Sequence, residues 1–229
     1  MRQLLLAAVL ILASSVAFAD TASVLLNGEK VRNMSAEEYA AAVRGASSIN
    51  VRGSNELSAI YIAAFYGTPD NIIALISAGA DVNARTSHGY TPLHQAANSE
   101  KPDNIIILVG AGADVNARDE GGGTALHWAA ATGTPDSIAA LLNAGAHINA
   151  RDQLGLTALH IAAVQGGSSV PAMNIIFPAK PANIIALLEA GASGSIKNNE
   201  GRTPFDVARD NDSLKGTPAY WALNDAQYK

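Results

Sequence analysis

Apolar residues fall along most of this chain in short helical registers set between polar turn residues. Ile138, Leu141 and Leu142 follow Thr134, which can cap a helix, and Pro135, which can occupy its first position, and the run stops at Gly145. Ahead of it, a first helix carries paired alanines such as Ala96 and Ala97, small enough for a neighbouring helix to approach closely, behind the cap Thr91 and Pro92. Gly133 is expected to end such a helix in the left-handed conformation. After the second helix, Ile148-Asn149-Ala150-Arg151-Asp152 with Gly155 reads as extended chain closing in a tight turn. One unit is therefore helix, turn, helix, hairpin.

The unit recurs at a spacing of 33. Thr91-Pro92-Leu93-His94 returns as Thr124-Ala125-Leu126-His127 and Thr157-Ala158-Leu159-His160, and the looser Ser58-Ala59-Ile60-Tyr61 precedes them. Thr203-Pro204-Phe205-Asp206 follows after 46, as does Ala190-Gly191-Ala192 after Ala144-Gly145-Ala146, so 13 extra residues lie between Leu159 and Ala190. A fixed period of this length signals stacked supersecondary units.

These residues resemble the ankyrin-repeat family, in the Gly-Ala-Asp-Val-Asn-Ala-Arg version common in bacterial proteins, from Ser58 to about Ala208. The resemblance implies an all-α ankyrin-repeat solenoid with units at 58–90, 91–123, 124–156 and 157–202, the last with its insertion near 166–180. Residues 20–57 are expected to form a linker and capping half repeat, with a Ser35/Glu38 capping box opening a helix from Ala36 to Val43. Residues 203–229 form the other cap, with a helix from Thr217-Pro218 through Trp221 and Leu223. Within the insertion Pro171-Ala172-Met173-Asn174-Ile175-Ile176 imitates Pro181-Ala182-Asn183-Ile184-Ile185. Either could serve as the packed helix, and Leu187, Leu188 and Gly191 favour the second. Glu100 and Lys101 stand where other units have glycine and threonine, which predicts a junction weaker by about 1 to 2 kcal/mol.

Composition narrows the function. With 48% hydrophobic and 15% charged residues the chain can bury a core, and 5% aromatics suits closely packed helices. The net charge of -5 gives no basic footprint for nucleic acid or anionic membrane, and zero cysteine removes disulfides, thiol catalysis and cysteine metal sites. Arg2, the apolar run Leu4 to Ala13 and Ala17-Phe18-Ala19 read as a signal peptide of residues 1–19, cleaved before Asp20. The run is shorter than the roughly 20 residues a membrane-spanning helix needs, so a periplasmic or secreted protein without stable membrane insertion is expected.

Candidate chemistry is thin. His94, His127 and His160 sit one per unit, where a shared structural role outweighs catalysis, and stacked helices about 8 to 10 Å apart keep them from sharing a zinc ion. Asp70, Asp103 and Asp136 fall in first turns of helices, where the dipole favours acids. Gly121-Gly122-Gly123 lacks a following P-loop lysine, and Asn33 and Asn211 begin N-x-Ser sequons, a weak signal. No catalytic residue, cofactor or metal is indicated.

What remains is surface. Carried over from the resemblance, the partner-binding strip of hairpin tips and first helices comprises Phe65, Tyr66, His88, Tyr90, Asn98, Ser99, Glu120, Thr132, Leu154, Leu156, Val164, Gln165, Glu200 and Arg202. Tyr90, Leu154 and Leu156 are expected to project from turns, and Trp128 to pack between units. The sequence points to a non-catalytic protein-binding module acting as inhibitor, immunity factor or assembly partner. The alternative is a bacterial effector that binds a eukaryotic host protein.

Overall fold

The computed structural model describes residues 21–46, 48–164 and 180–228. Among them, thirteen α-helices run in two layers. The inner layer comprises α2 (Gly28–Asn33), α4 (Ala59–Tyr66), α6 (Pro92–Ala97), α8 (Ala125–Ala131), α10 (Ala158–Ala163) and α12 (Pro204–Ala208), each packed on the next. The outer layer comprises α3 (Ala36–Gly45), α5 (Pro69–Ser77), α7 (Pro102–Gly110), α9 (Pro135–Asn143), α11 (Pro181–Glu189) and α13 (Pro218–Ala226). A short α1 (Thr21–Leu25) packs on α2, α3 and α4.

The local signals act as the sequence predicts at most helix starts. Thr91, Thr124, Thr157 and Thr203 each form a reciprocal capping box three residues on, with a histidine in the first three cases and Asp206 in the fourth. The outer helices α5, α7, α9 and α11 carry proline in their first turn and end at Gly79, Gly112, Gly145 and Gly191, whose φ values of +84°, +91°, +91° and +90° need a residue without a Cβ. The Ser35/Glu38 box opens α3, and Thr217 caps α13. Of the two proline-led copies around the insertion, Pro181–Glu189 forms α11; the other lies outside the described residues.

In the four full units a leucine or isoleucine of the inner helix shares the core with two from the outer helix of the same unit. Ile60 is buried with Ile72 and Leu75, Leu93 with Ile105 and Leu108, Leu126 with Ile138 and Leu141, and Leu159 with Ile184 and Leu187. Each such side chain is worth about 1.5 to 3 kcal/mol of burial. Between inner helices the buried residues are alanines, such as Ala63, Ala96, Ala129 and Ala162, which set the close inter-unit spacing. At the ends, Tyr39 and Val43 on one side and Leu214 and Leu223 on the other close the same core.

One expectation is corrected and a second gains a contact that its sequence does not show. Gly67 ends α4 with φ -76° and ψ 175°, and Gly133 is not left-handed either. Their lack of a side chain serves close approach instead: a Cβ on Gly133 would lie 2.7 Å from the Ala97 carbonyl oxygen, and one on Gly67 2.7 Å from that of Ala63. The junction carrying Glu100 and Lys101 is not simply short of a cap. Lys101 makes no side-chain cap to α7, but its ammonium donates to the carbonyls of Tyr66 (3.1 Å) and Gly67 (2.8 Å), capping the C-terminal end of α4 in the unit before. Lys180 does the same to Thr132 and Gly133.

Candidate interaction surface

The hairpins emerge beside the inner layer and are joined edge to edge by their backbones. Ser87 N–H donates to Asn55 O (3.1 Å), Glu120 to His88 (3.1 Å), Gln153 to Gly121 (2.9 Å) and Asn199 to Leu154 (3.0 Å). Four of the tips turn through a left-handed glycine, Gly89, Gly122, Gly155 or Gly201. The first tip has Glu56 there, at φ +60°, next to Asn55 at φ +58°.

Side chains repeated at the period brace this row from below. Arg52 donates to Arg85 O (2.7 Å), Arg85 to Arg118 O, Arg118 to Arg151 O (2.7 Å) and Arg151 to Lys197 O (3.1 Å), so each guanidinium crosses to the next hairpin. Asn50, Asn83 and Asn116 donate to Gly79, Gly112 and Gly145 O at 3.1, 3.1 and 3.2 Å.

The three histidines belong to the same framework. Nδ1 of His94, His127 and His160 accepts from the backbone N–H of Thr91, Thr124 and Thr157, which leaves Nε2–H to donate to Gly123 O (3.3 Å), Leu156 O (3.1 Å) and Arg202 O (3.0 Å), at the end of the hairpin that closes the same unit and leads into the next. Burial, the largest effect on each, holds the imidazoles below their ordinary pKa, His160 down to about 4. Each is a neutral bracket between the start of its own inner helix and the end of the hairpin that closes its unit, with both nitrogens engaged. Among the described residues, no group of three or more His, Asp or Glu is placed to hold a metal ion.

The residues of the expected strip divide by exposure. His88 and Glu120 pair at 3.4 Å on adjacent tips with about two thirds of each side chain exposed (65% and 66%), Leu154 is 41% exposed, and Glu200 is exposed. Tyr90 is half-buried, with its ring meeting Trp128 at 5.0 Å and 75°. Its phenol pKa is raised by burial first, then by Asp119 and Glu120. Leu156 does not project: it is 8% exposed and packs in the core beneath the turn. Ser99 is also buried, at 5%, because its hydroxyl donates to Ala96 O (2.7 Å) where α6 ends.

The inner-helix members bond mainly to one another. Thr132 donates to Asn98 across neighbouring units. Phe65 meets Tyr66 edge-on at 4.9 Å, and Tyr66 turns toward the N-terminal cap, its ring 5.0 Å from the Arg32 guanidinium. Arg202 pairs with Asp210, Val164 is half-buried at the end of α10, and Gln165 lies outside the described residues.

Two contributors were missed from the strip. Asp119 accepts from Gly123 N (2.8 Å) and from the Trp128 indole (3.1 Å), fixing the floor beside Tyr90. Gln153 donates to Glu120 O (2.7 Å), locking two tips together. The available signal was the shared register of Asp119 and Asp152, the turn-bonding residue of their hairpins. Trp128, at 7% exposure, packs between units as its position predicts.

Residues 10–119 and 116–184 match the family model described as ankyrin repeats (3 copies), and no curated protein matches the chain. Ankyrin repeats generally mediate protein–protein interactions and are typically non-catalytic. Among the described residues, no helix is long and apolar enough to cross a membrane. The layered helices, the periodic capping boxes and the matched segments agree: the chain belongs to the ankyrin-repeat family.

Proposed function

We propose that this chain is a non-catalytic module that binds another protein in the periplasm or outside the cell, as an inhibitor, immunity factor or assembly partner. The observation that carries the reading is the hairpin row. Its backbones and bracing side chains are bonded from unit to unit, while His88, Glu120, Leu154 and Glu200 point outward from it. A surface fixed before binding loses little conformational entropy on association, which favours affinity at modest buried area. The N-terminal pattern of residues 1–19 supports export.

Affinity capture with crosslinking from envelope extract, repeated with His88, Glu120 and Leu154 all changed to alanine, tests the reading. A captured partner should bind the triple variant at least tenfold more weakly while the melting curve stays unchanged. Equal affinity would remove the hairpin row as the contact. Recovery of a partner from host cells alone would replace the envelope role by that of a delivered effector.

A further inference from the structure

The end of the array departs from the pattern of the units before it. Where earlier units place Val82, Val115 and Ile148, the last has Gly194, and a Cβ there would lie 2.6 Å from that of Ala226 and 2.8 Å from its carbonyl oxygen. The missing side chain lets the C-terminal end of α13 close onto the turn that follows α11. Beside this contact lies a cavity of about 620 Å³, floored by Ile185, Leu188, Ala222 and Ala226 and rimmed by Glu189 and Asp225.

Three features of this groove point the same way. Glu189 and Asp225 are the only charged side chains on α11 and α13, and both sit in last turns. Helix C-termini carry partial negative charge, so two carboxylates and two helix ends make one electronegative rim around an apolar floor. The capping helix is also not polar outside. Trp221, one turn before Asp225, is 57% exposed, and Tyr228, just past the helix, is 80% exposed. A terminal unit whose only task is solubility presents a polar outer face, and exposed aromatics are enriched at interfaces.

We propose that the groove between α11 and α13 is a second docking site, for a basic amphipathic segment of another protein. Its aliphatic side chains fill the floor and its lysine or arginine meets Glu189 and Asp225. A second copy of this chain fits poorly, since α11 and α13 offer no cation and a two-fold contact would bring these carboxylates against their own copies. The site is independent of the hairpin row.

The full chain is titrated with a synthetic amphipathic peptide of leucine and lysine, followed by tryptophan fluorescence. The chain has two tryptophans and Trp128 is buried, so Trp221 reports. A saturable blue shift is expected, weakened at least tenfold by Glu189→Lys with Asp225→Lys, weakened by added salt, and unchanged by Leu154→Ala. Equal binding of a leucine–glutamate peptide, or of the lysine peptide to the charge-reversed chain with an unchanged melting curve, would overturn the proposal. So would the absence of a shift, or self-association of the chain that Trp221→Ser abolishes. Should the charge reversal prevent folding, the salt dependence and the leucine–glutamate control on the unaltered chain decide.

Discussion

The ammonium of Lys101 lies 2.8 Å from the carbonyl oxygen of Gly67, 34 positions earlier in the chain. A residue that fails to cap its own helix caps the end of another. Lys101→Met should therefore lower stability by about 1 kcal/mol, below the usual range for a hydrogen bond to a charged group because the site is partly exposed. Chemical denaturation of the two proteins checks it, and a variant at least as stable would return the junction to the weakness its sequence suggests.

Glu56 occupies the left-handed position that Gly89, Gly122, Gly155 and Gly201 fill in the other hairpins. Non-glycine residues are disfavoured there by about 1 to 2 kcal/mol. Glu56→Gly should raise stability by about 1 kcal/mol, since the unfolded chain gains freedom too. A melting temperature that does not rise would show that the first tip is not held in this conformation.

Leu154 and Leu156 are two residues apart on one hairpin but differ in burial, 41% against 8% exposed. Leu154→Ala should leave the melting curve almost unmoved. Leu156→Ala should cost about 2 to 3 kcal/mol through lost burial and the cavity left behind. Thermal melts of both variants suffice, and equal effects would contradict the packing described.

Acidification below about pH 6.5 should weaken the array. His94, His127 and His160 are held neutral by burial, whereas in the unfolded chain they take up protons near pH 6.5. Their contribution is complete above that value and falls as pH drops toward the folded pKa, about 4 for His160, where its loss reaches about 3 kcal/mol. Denaturation midpoints between pH 7 and about pH 4 should fall steadily, and a flat profile would mean the imidazoles are not desolvated.

Much of this was legible in the sequence because the chain repeats its local chemistry. Thr-x-x-His, proline at helix starts and glycine after outer helices each act within a few residues, so spacing alone reveals them. Contacts reaching across a unit were not. Nothing near Lys101 names Gly67 as its partner, and nothing near Leu156 tells that its turn folds over the core while Leu154 faces out. Gly133 was rightly seen to matter, but for backbone dihedrals rather than for the Ala97 carbonyl beside it.

The lysine caps also say something about how energy is distributed along the array. Gly-Thr-Pro at 67–69, 133–135 and 216–218 alternates with Glu-Lys-Pro at 100–102 and Ala-Lys-Pro at 179–181. Lys101 and Asn104 tie the second unit to the first, and Lys180 and Asn183 tie the fourth to the third, whereas Thr134 and Ser137 of the third bond within their own helix start. In nearest-neighbour language the first and third of these boundaries carry a lysine and an asparagine tie, where the boundary between the second and third units carries Thr132 on Asn98. Such a distribution of ties favours pairs of units opening together, with the first parting expected at the boundary between α7 and α9.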